Sequence, residues 1–470
     1  MAQSAPRGML DAKALRQMVE RGEIETVLAV FPDMYGRLMG KRCVGRFFVE
    51  SVLKHDLHAC DYLLASDMEM TPVPGYKFTS WEQGYGDFRL RPDLNTLRMA
   101  SWLEKTAIIL CDVYGEERDE LVPFAPRTIM RKQVERAERT GYQVHGASEL
   151  EFFLFNDSFE TAARKQYINL RPIGNYIEDY HIFQGTKEEE VVGTIRSHLE
   201  RSGIPVESSK GEWGPGQQEI NLRFADLLEM ADRHVIYKHA AKEIAWQKGK
   251  SITFMAKWNA AHAGSSMHIH VSLWDKRGVR PLFTGREKLG PLQVSKQFQW
   301  FLGGWMKHLR ELFPFYAPYP TSYKRYVAGS FAPTAIAWSY DNRTAGFRIV
   351  GEGSSLRIEC RTPGADANPY LAFAATLAAG LDGIENKLDP PPMFEGDVYR
   401  AGALPPTTGA IGQVPRTLNE AIAEMEQSRW VRKIFGDDVI DHYLHFFRVE
   451  QQKFDEAVTT WELARYFERA

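Results

Sequence analysis

The stretch Ser148-Glu149-Leu150-Glu151-Phe152-Phe153-Leu154-Phe155 decides how the chain is read. After Glu151 it is apolar, aromatic and β-prone, which predicts a buried strand. Successive strand side chains point to opposite faces, so Glu149 and Glu151 share one face and Leu150 lies on the other. Two neighbouring carboxylates on a buried strand are costly unless a cation or an arginine neutralises them. Two further stretches have the same grammar. Ser266 to Leu273 puts His268, His270 and Ser272 on one face. Leu356 to Arg361 puts Arg357, Glu359 and Arg361 on one face, with Leu356, Ile358 and Cys360 behind. Strands with apolar backs and ionisable fronts predict the wall of a polar funnel. A fourth piece, Glu212-Trp-Gly-Pro-Gly-Gln-Gln-Glu219, is rich in turn formers and has a carboxylate at each end.

Carboxylates with few imidazoles and no thiolates suit hard cations, Mg²⁺ or Mn²⁺. Arginines beside them suit a polyphosphate or a carboxylate substrate. Any one of these strands, taken singly, reads as a solvent-facing amphipathic strand. Together their backs are too apolar for exposed edges.

Composition narrows the classes. With 470 residues, 44% hydrophobic and 25% charged, the chain is long enough for two domains and ordinary for a globular protein. A net charge of −3 gives no case for nucleic acid or an anionic membrane as partner. No run reaches membrane-spanning length; Leu371 to Gly383 is the size of a core helix. Cys43, Cys60, Cys111 and Cys360 are scattered without metal spacing, which fits free thiols in a reducing cytoplasm.

Along the chain, strands are expected at Ile24 to Phe31, which alternates, at Arg37 to Cys43 and at Thr106 to Val113, with an ordered loop from Thr71 to Gly86. Pro126 opens a helix that Gly141 closes. Further helices are expected at Phe47 to Leu53, Lys187 to Ser202, Leu227 to Lys248, Phe298 to Phe313, Pro369 to Lys387, Leu418 to Met425 and Val439 to Glu468. Gly396 to Pro415 reads as a connector. A boundary near Leu121 divides the chain into residues 1–121 and 122–470.

The ordered set Glu149-Leu-Glu151, Glu212 to Glu219, Gly264 to His270, Asn342-Arg343, Arg357 to Arg361 and Asn368-Pro-Tyr-Leu-Ala-Phe-Ala resembles the glutamine synthetase family, from about Glu25 to the last helices. The resemblance implies an α+β fold: an N-terminal β-grasp domain, then a catalytic domain whose antiparallel sheet curves into half a barrel backed by helices. It also implies a homo-oligomer of stacked six-membered rings, with active sites completed by a neighbour's N-terminal domain. Carried over residue by residue, it makes Glu151, Glu212 and Glu219 the ligands of one metal, and Glu149, His268 and Glu359 those of another. It gives His270, Ser272, Phe224, Arg343, Arg348 and Arg357 to ATP, and Gly264, His268, Arg325, Phe331 and Arg361 to the substrates. Arg343, Arg361 and Arg325 are the implied catalytic arginines.

The implied reaction is physically coherent. A carboxylate is a poor electrophile, and phosphorylation by ATP gives it a good leaving group. Metals and arginines absorb the charge on the transferring group, and an amine then attacks. No nucleophilic side chain is needed, and no serine–histidine or cysteine–histidine arrangement stands out.

The sequence departs from ammonia users of this family at two places. Their flap glutamate is replaced by Phe331 in Ala328-Gly-Ser-Phe-Ala-Pro333, and Pro72 to Ser80 has no acid at the matching N-terminal position. Ala263 stands where an asparagine precedes Gly264. Tyr399 lies near the place of a regulatory tyrosine but lacks its motif and reads as a surface residue. Losing two acids weakens the attraction for ammonium, and a phenyl group adds apolar area worth roughly 1.5–3 kcal/mol if fully buried. The expectation is an ATP-dependent ligase that couples the γ-carboxylate of glutamate to an alkyl- or arylamine. An arylamine, already neutral, would need no acid and would stack on Phe331, Tyr76, Phe78 or Trp81. An ammonia-dependent glutamine synthetase and a non-catalytic relative of the same fold stay open, as does Phe331 as mere packing.

Overall fold

The computed structural model describes residues 7–116, 119–403 and 412–470, so residues 404–411 of the expected connector lie outside the described part. The first sheet contains β1 (Thr26–Pro32), β2 (Leu38–Val44), β3 (Leu57–Cys60), β4 (Asp87–Pro92), β5 (Arg98–Met99) and β6 (Thr106–Gly115). Its order is β2-β1-β6-β4-β3, with β5 also on β6. The inner strand β1 runs antiparallel to β2 and parallel to the central β6. It is buried on both faces, so Val27 to Phe31 is a continuous apolar run and not the expected alternation. The β1–β2 turn is held by the Asp33 carboxylate, which accepts from the backbone N–H groups of Tyr35 (3.0 Å) and Arg37 (2.8 Å).

The loop from Thr71 to Gly86 packs on its own chain. The Tyr76 ring lies 4.6 Å from the rings of His442 and His445, and Phe78 lies 4.3 Å from Phe124. Tyr76 and Phe78 therefore pack on the rings of His442, His445 and Phe124 of their own chain and line a separate cavity with them, instead of joining Phe331 as expected. Trp81, at the loop's tip, is 74% exposed.

The second sheet is built on β7 (Tyr142–Phe155). The other elements are β8 (Val206–Gly211), β9 (Gln217–Leu222), β10 (Ala225–Asp226), β11 (Ser251–Thr253), β12 (Met267–Asp275), the separate hairpin β13 (Thr284–Leu289) and β14 (Leu292–Val294), β15 (Trp338–Tyr340), β16 (Phe347–Val350) and β17 (Arg357–Cys360). The order is β15-β16-β17-β12-β7-β9-β8, with β10 and β11 also on β7. The pairs are antiparallel except at one edge, where β15 runs parallel to β16 across the Asp341–Gly346 segment. Leu150, Phe152 and Leu154 bury the back of β7, and Ile269, Ile358 and Cys360 continue that layer.

Helices cover this back. Pro369–Asn386 is buried around nearly its whole circumference; Asn368 caps it by accepting from the Tyr370 N–H, and Pro369 takes the first turn. It crosses Lys296–His308 at backbone distance, since a Cβ on Gly304 would stand 2.3 Å from the Ala379 carbonyl oxygen. Leu227–Gln247 and Pro126–Arg139 fall close to their expected ranges. The helix expected at Phe47 to Leu53 is a π-helical turn, Phe48–Val52, between the short α-helical segments Gly45–Phe47 and Leu53–His55, and three further helices differ from expectation. One opens earlier, as Ile182–Arg201. The helix expected to reach Phe313 stops at His308, and Pro314 starts a new turn at Phe313–Tyr316. The last is two helices, Asp437–Glu456 and Thr460–Tyr466, because Thr459 and Glu462 form a capping box that begins a new one. The cysteines are free, and among the described residues no helix is long and apolar enough to cross a membrane.

Candidate active site

Strand register assembles the predicted side chains. Across β7, Glu149 faces His268 on one side and Asn221 on the other, while Glu151 faces Glu219, which in turn faces Lys210. On the neighbouring strands, Glu359 faces His270 and Arg348. Directly opposed residues have Cβ atoms about 4.5–5.5 Å apart, so these rows are contacts fixed by pairing.

Two clusters result, each with ligand atoms within 4.8 Å of one another. Glu151, Glu212 and Glu219 form the first; Glu149, His270 and Glu359 form the second. The resemblance put His268 in the second set, and His268 Nδ1 lies 3.2 Å from Glu149 and 3.6 Å from Glu359. Both imidazoles thus border the same carboxylates.

The clusters differ in charge balance. In the second, burial opposes ionisation of Glu359, but Arg361, His270 and His268 outweigh it and hold its pKa at about 2. Arg361 Nη1 donates to it at 2.5 Å and Arg348 Nη1 at 2.8 Å. Glu149 is likewise held low, burial being overcome by His270 and His268. In the first cluster, burial and the charges of Glu149 and Glu151 push Glu219 up to about 7. Lys210, paired with Glu212 and 3.7 Å from Glu219, supplies only part of the missing positive charge. Crowded carboxylate oxygens short of positive charge are a donor set that fits a divalent hard cation.

Two cavities of about 300 Å³ meet along Glu149 and Asn221. The first is lined by His145, Phe224, His270, Ser272, Trp274 and Arg357. Phe224 is 52% exposed, a flat aromatic face of the kind a purine ring stacks on. Arg357 Nε donates to His270 Nδ1 at 3.3 Å. The second cavity is lined by Glu149, Glu151, Glu212 and Glu219 and, among others, Gly264, His268, Arg325, Arg343, Arg348 and Arg361. The Arg361 Nε–H is buried and has no hydrogen-bond partner, so it is open to an acceptor. Arg325 donates to the carbonyls of Thr362 (2.7 Å) and Arg361 (2.8 Å), which fixes it as part of the wall. A Cβ on Gly264 would stand 2.6 Å from both the Ala256 carbonyl oxygen and Arg325 Cγ, so only glycine fits there.

Phe331 lines the second cavity at φ +61°, an unfavourable conformation for an aromatic residue. Its ring meets Trp213 edge to face at 5.5 Å, and the two are 44% and 46% exposed. They form an apolar rim and not a packed core. Tyr399 is not simply a surface residue: its hydroxyl is buried without a hydrogen-bond partner. Burial raises its pKa, while the nearby Arg361 and Arg325 pull it down.

Lys210, Asp179 and Tyr180 also line the second cavity and were not picked out from sequence. Lys210 was reachable, because it shares strand parity with Glu212. Asp179 and Tyr180 lie in a segment with no periodicity, at φ +25° and +66°.

Residues 123–466 match the family described as glutamine synthetase, catalytic domain. The chain is 45% identical over 460 residues to the gamma-glutamylethanolamide synthetase of Streptomyces coelicolor, across 98% of this chain and 96% of that one. It is 36% identical over 455 residues to the glutamate–isopropylamine ligase of a Pseudomonas species, across 97% of each. It resembles the solved structure described as "GmaS/ADP complex-Conformation 1" with a TM-score of 0.83 and 28% identity, over 96% of this chain and 99% of that one.

Proposed function

The chain belongs to the glutamine synthetase family, and on that premise we propose that it is an ATP-dependent ligase joining the γ-carboxylate of glutamate to an aliphatic monoamine in place of ammonia. The observation that carries this reading is the rim. Phe331 and Trp213 share a cavity with the ligand carboxylates, where an ammonia user would present an acid to ammonium. The relatives named for ethanolamide and isopropylamine products support it.

In this reading the nucleotide lies in the first cavity, its base against Phe224 and its phosphates toward His270, Ser272 and Arg357. Glu151, Glu212 and Glu219 would hold one Mg²⁺ or Mn²⁺, and Glu149, Glu359 and the two imidazoles another. These ions, when bound, neutralise phosphate charge during transfer. Arg361 offers its free Nε–H to a glutamate carboxylate, with Gly264 and Arg325 closing that wall. The γ-carboxylate oxygen would take the γ-phosphoryl group of ATP as the bond to the β-phosphate oxygen breaks and ADP leaves, with Arg343 and Arg348 bordering the transferring oxygens. The amine, after its ammonium form has given a proton to solvent, would then form the C–N bond with its lone pair; the C–O bond breaks with its electron pair leaving on phosphate, which takes the second proton that the nitrogen sheds.

The further parts of the proposal are a division at residues 1–121 and 122–470, a cytoplasmic homo-oligomer of stacked rings, and a neighbour's N-terminal domain completing each site. A fully active monomer in light scattering would end the assembly proposal. The function is tested by phosphate release with glutamate, ATP and Mg²⁺ across ethanolamine, isopropylamine, aniline, putrescine and ammonium. An aliphatic monoamine should rank first. Ammonium ranked first would restore the glutamine synthetase reading, and no turnover with any would leave a non-catalytic relative.

A further inference from the structure

The sequence offered no acid to receive a charged amine, and alkylamines arrive at neutral pH as ammonium ions. The structure supplies one. Among the acids lining the second cavity, Glu149 is engaged by His268 and His270. Glu151 accepts from the N–H and hydroxyl of Ser266 and from Gln217. Glu212 and Glu219 share Lys210. Asp179 is the remaining acid, and among the described residues its carboxylate has no hydrogen-bond or ion-pair partner. It lines the cavity that contains Trp213 and Phe331 and is not part of the first cavity's wall.

Its position is built and not incidental. Asp179 and the following Tyr180 are both left-handed, a conformation that costs of order 1–3 kcal/mol per residue and persists only when the surroundings enforce it. Asp179 N–H donates to the Glu212 carbonyl at 3.0 Å, and Tyr180 N–H to the Gly211 carbonyl at 3.2 Å. Just before them, the buried Glu178 carboxyl accepts from the Gly216 N–H and from Gln218 Nε2, each at 2.6 Å. The strained pair is thereby fastened at several points to the loop that carries Glu212 and Trp213.

We propose that Asp179 docks the cationic nitrogen of an alkylammonium substrate, whose apolar tail lies against Phe331 and Trp213. A carboxylate beside two aromatic rings is a recognition set for an ammonium carrying a hydrocarbon substituent: one charge-assisted hydrogen bond, apolar area, and ring faces that attract the cation. It explains how a site without the flap glutamate accepts a charged amine. The inference rests on the amine-ligase reading above.

The test compares Asp179→Asn, Asp179→Glu and wild type on isopropylamine, a cation at pH 7, and on aniline and hydroxylamine, both largely neutral there. Asp179→Asn should raise KM and lower kcat/KM for isopropylamine by about 10- to 100-fold, the loss of one hydrogen bond to a charged group. Its values for aniline and hydroxylamine, and KM for glutamate and ATP, should stay within about threefold. Asp179→Glu should recover part of the loss. Equal losses on charged and neutral amines, or no loss at all, would overturn the role of Asp179. A wild-type enzyme that prefers ammonium over every amine would instead overturn the functional reading beneath it.

Discussion

The floor and the rim of the second cavity are made in opposite ways. The floor stands on paired strands: Glu149, Glu151 and Glu219, with the buried Glu359 behind them, owe their places to register, and each faces its partner across a ladder. The rim stands on loops: Phe331, Asp179 and Tyr180 are non-glycine residues held at positive φ. The floor keeps its carboxylates largely buried, balanced by Arg348 and Arg361 around Glu359 and short of positive charge around Glu219, whereas the rim is half exposed. On the proposed reading, strand pairing fixes the atoms that would meet metal and phosphate. Loop strain fixes atoms that choose a substrate, and loops can be re-aimed without unpicking the sheet.

If that division holds, substitutions on the two sides differ in kind as well as size. The largest effect belongs to the floor. Glu151→Ala should lower phosphate release with every amine by about 1000-fold, the several kcal/mol that a bound metal supplies, with oligomer size unchanged in light scattering. Wild-type-like turnover would remove Glu151 from the metal site. On the rim, Phe331→Glu should change ranking and not capacity: the isopropylamine-to-ammonium ratio of kcat/KM should fall by about 10-fold while KM for ATP is unmoved, which steady-state kinetics reads directly. An unchanged ratio would make Phe331 packing alone.

A smaller effect is pH dependence at the seam between the two. Burial and the adjacent Glu188 raise the Glu178 carboxyl to about 9, above the roughly 4.3 of an exposed glutamate. A raised folded-state pKa means the folded form binds more protons, so this contribution is whole below the unfolded pKa and is lost as pH rises through about 9. From pH 7 to pH 10 the melting temperature should fall by about 1–3 °C more in wild type than in Glu178→Gln, as followed by calorimetry. Equal slopes would show that the carboxyl does not clamp the segment.

The sequence was legible where alternation and chemistry coincided. Glu149, Glu151, His268, His270 and Glu359 could be read because a strand's parity tells which residues share a face, and the structure adds only which rows they form. Pro369–Asn386 was readable from its cap, its proline and its alanines. Asp179 was not, because nothing local marks a residue whose place is set by hydrogen bonds to a distant loop. The substrate-stacking role expected of Tyr76 was misplaced for a related reason: aromatic content predicts a contact but not that the partner is His442 of the same chain. Tyr399 failed likewise, since nothing in its own stretch shows that its hydroxyl is buried or that the charges of Arg361 and Arg325 act on it from elsewhere in the chain.

The continuous pairing of β7 with β12, from Leu150↔Met267 to Tyr142↔Asp275, makes the site intolerant of a change in length. A single inserted or deleted residue inside either strand would turn every carboxylate and imidazole beyond it to the apolar back. A residue added to the segments that carry Asp179 and Phe331 would leave every pair of that ladder in register, so these loops can be lengthened or re-aimed where the strands cannot.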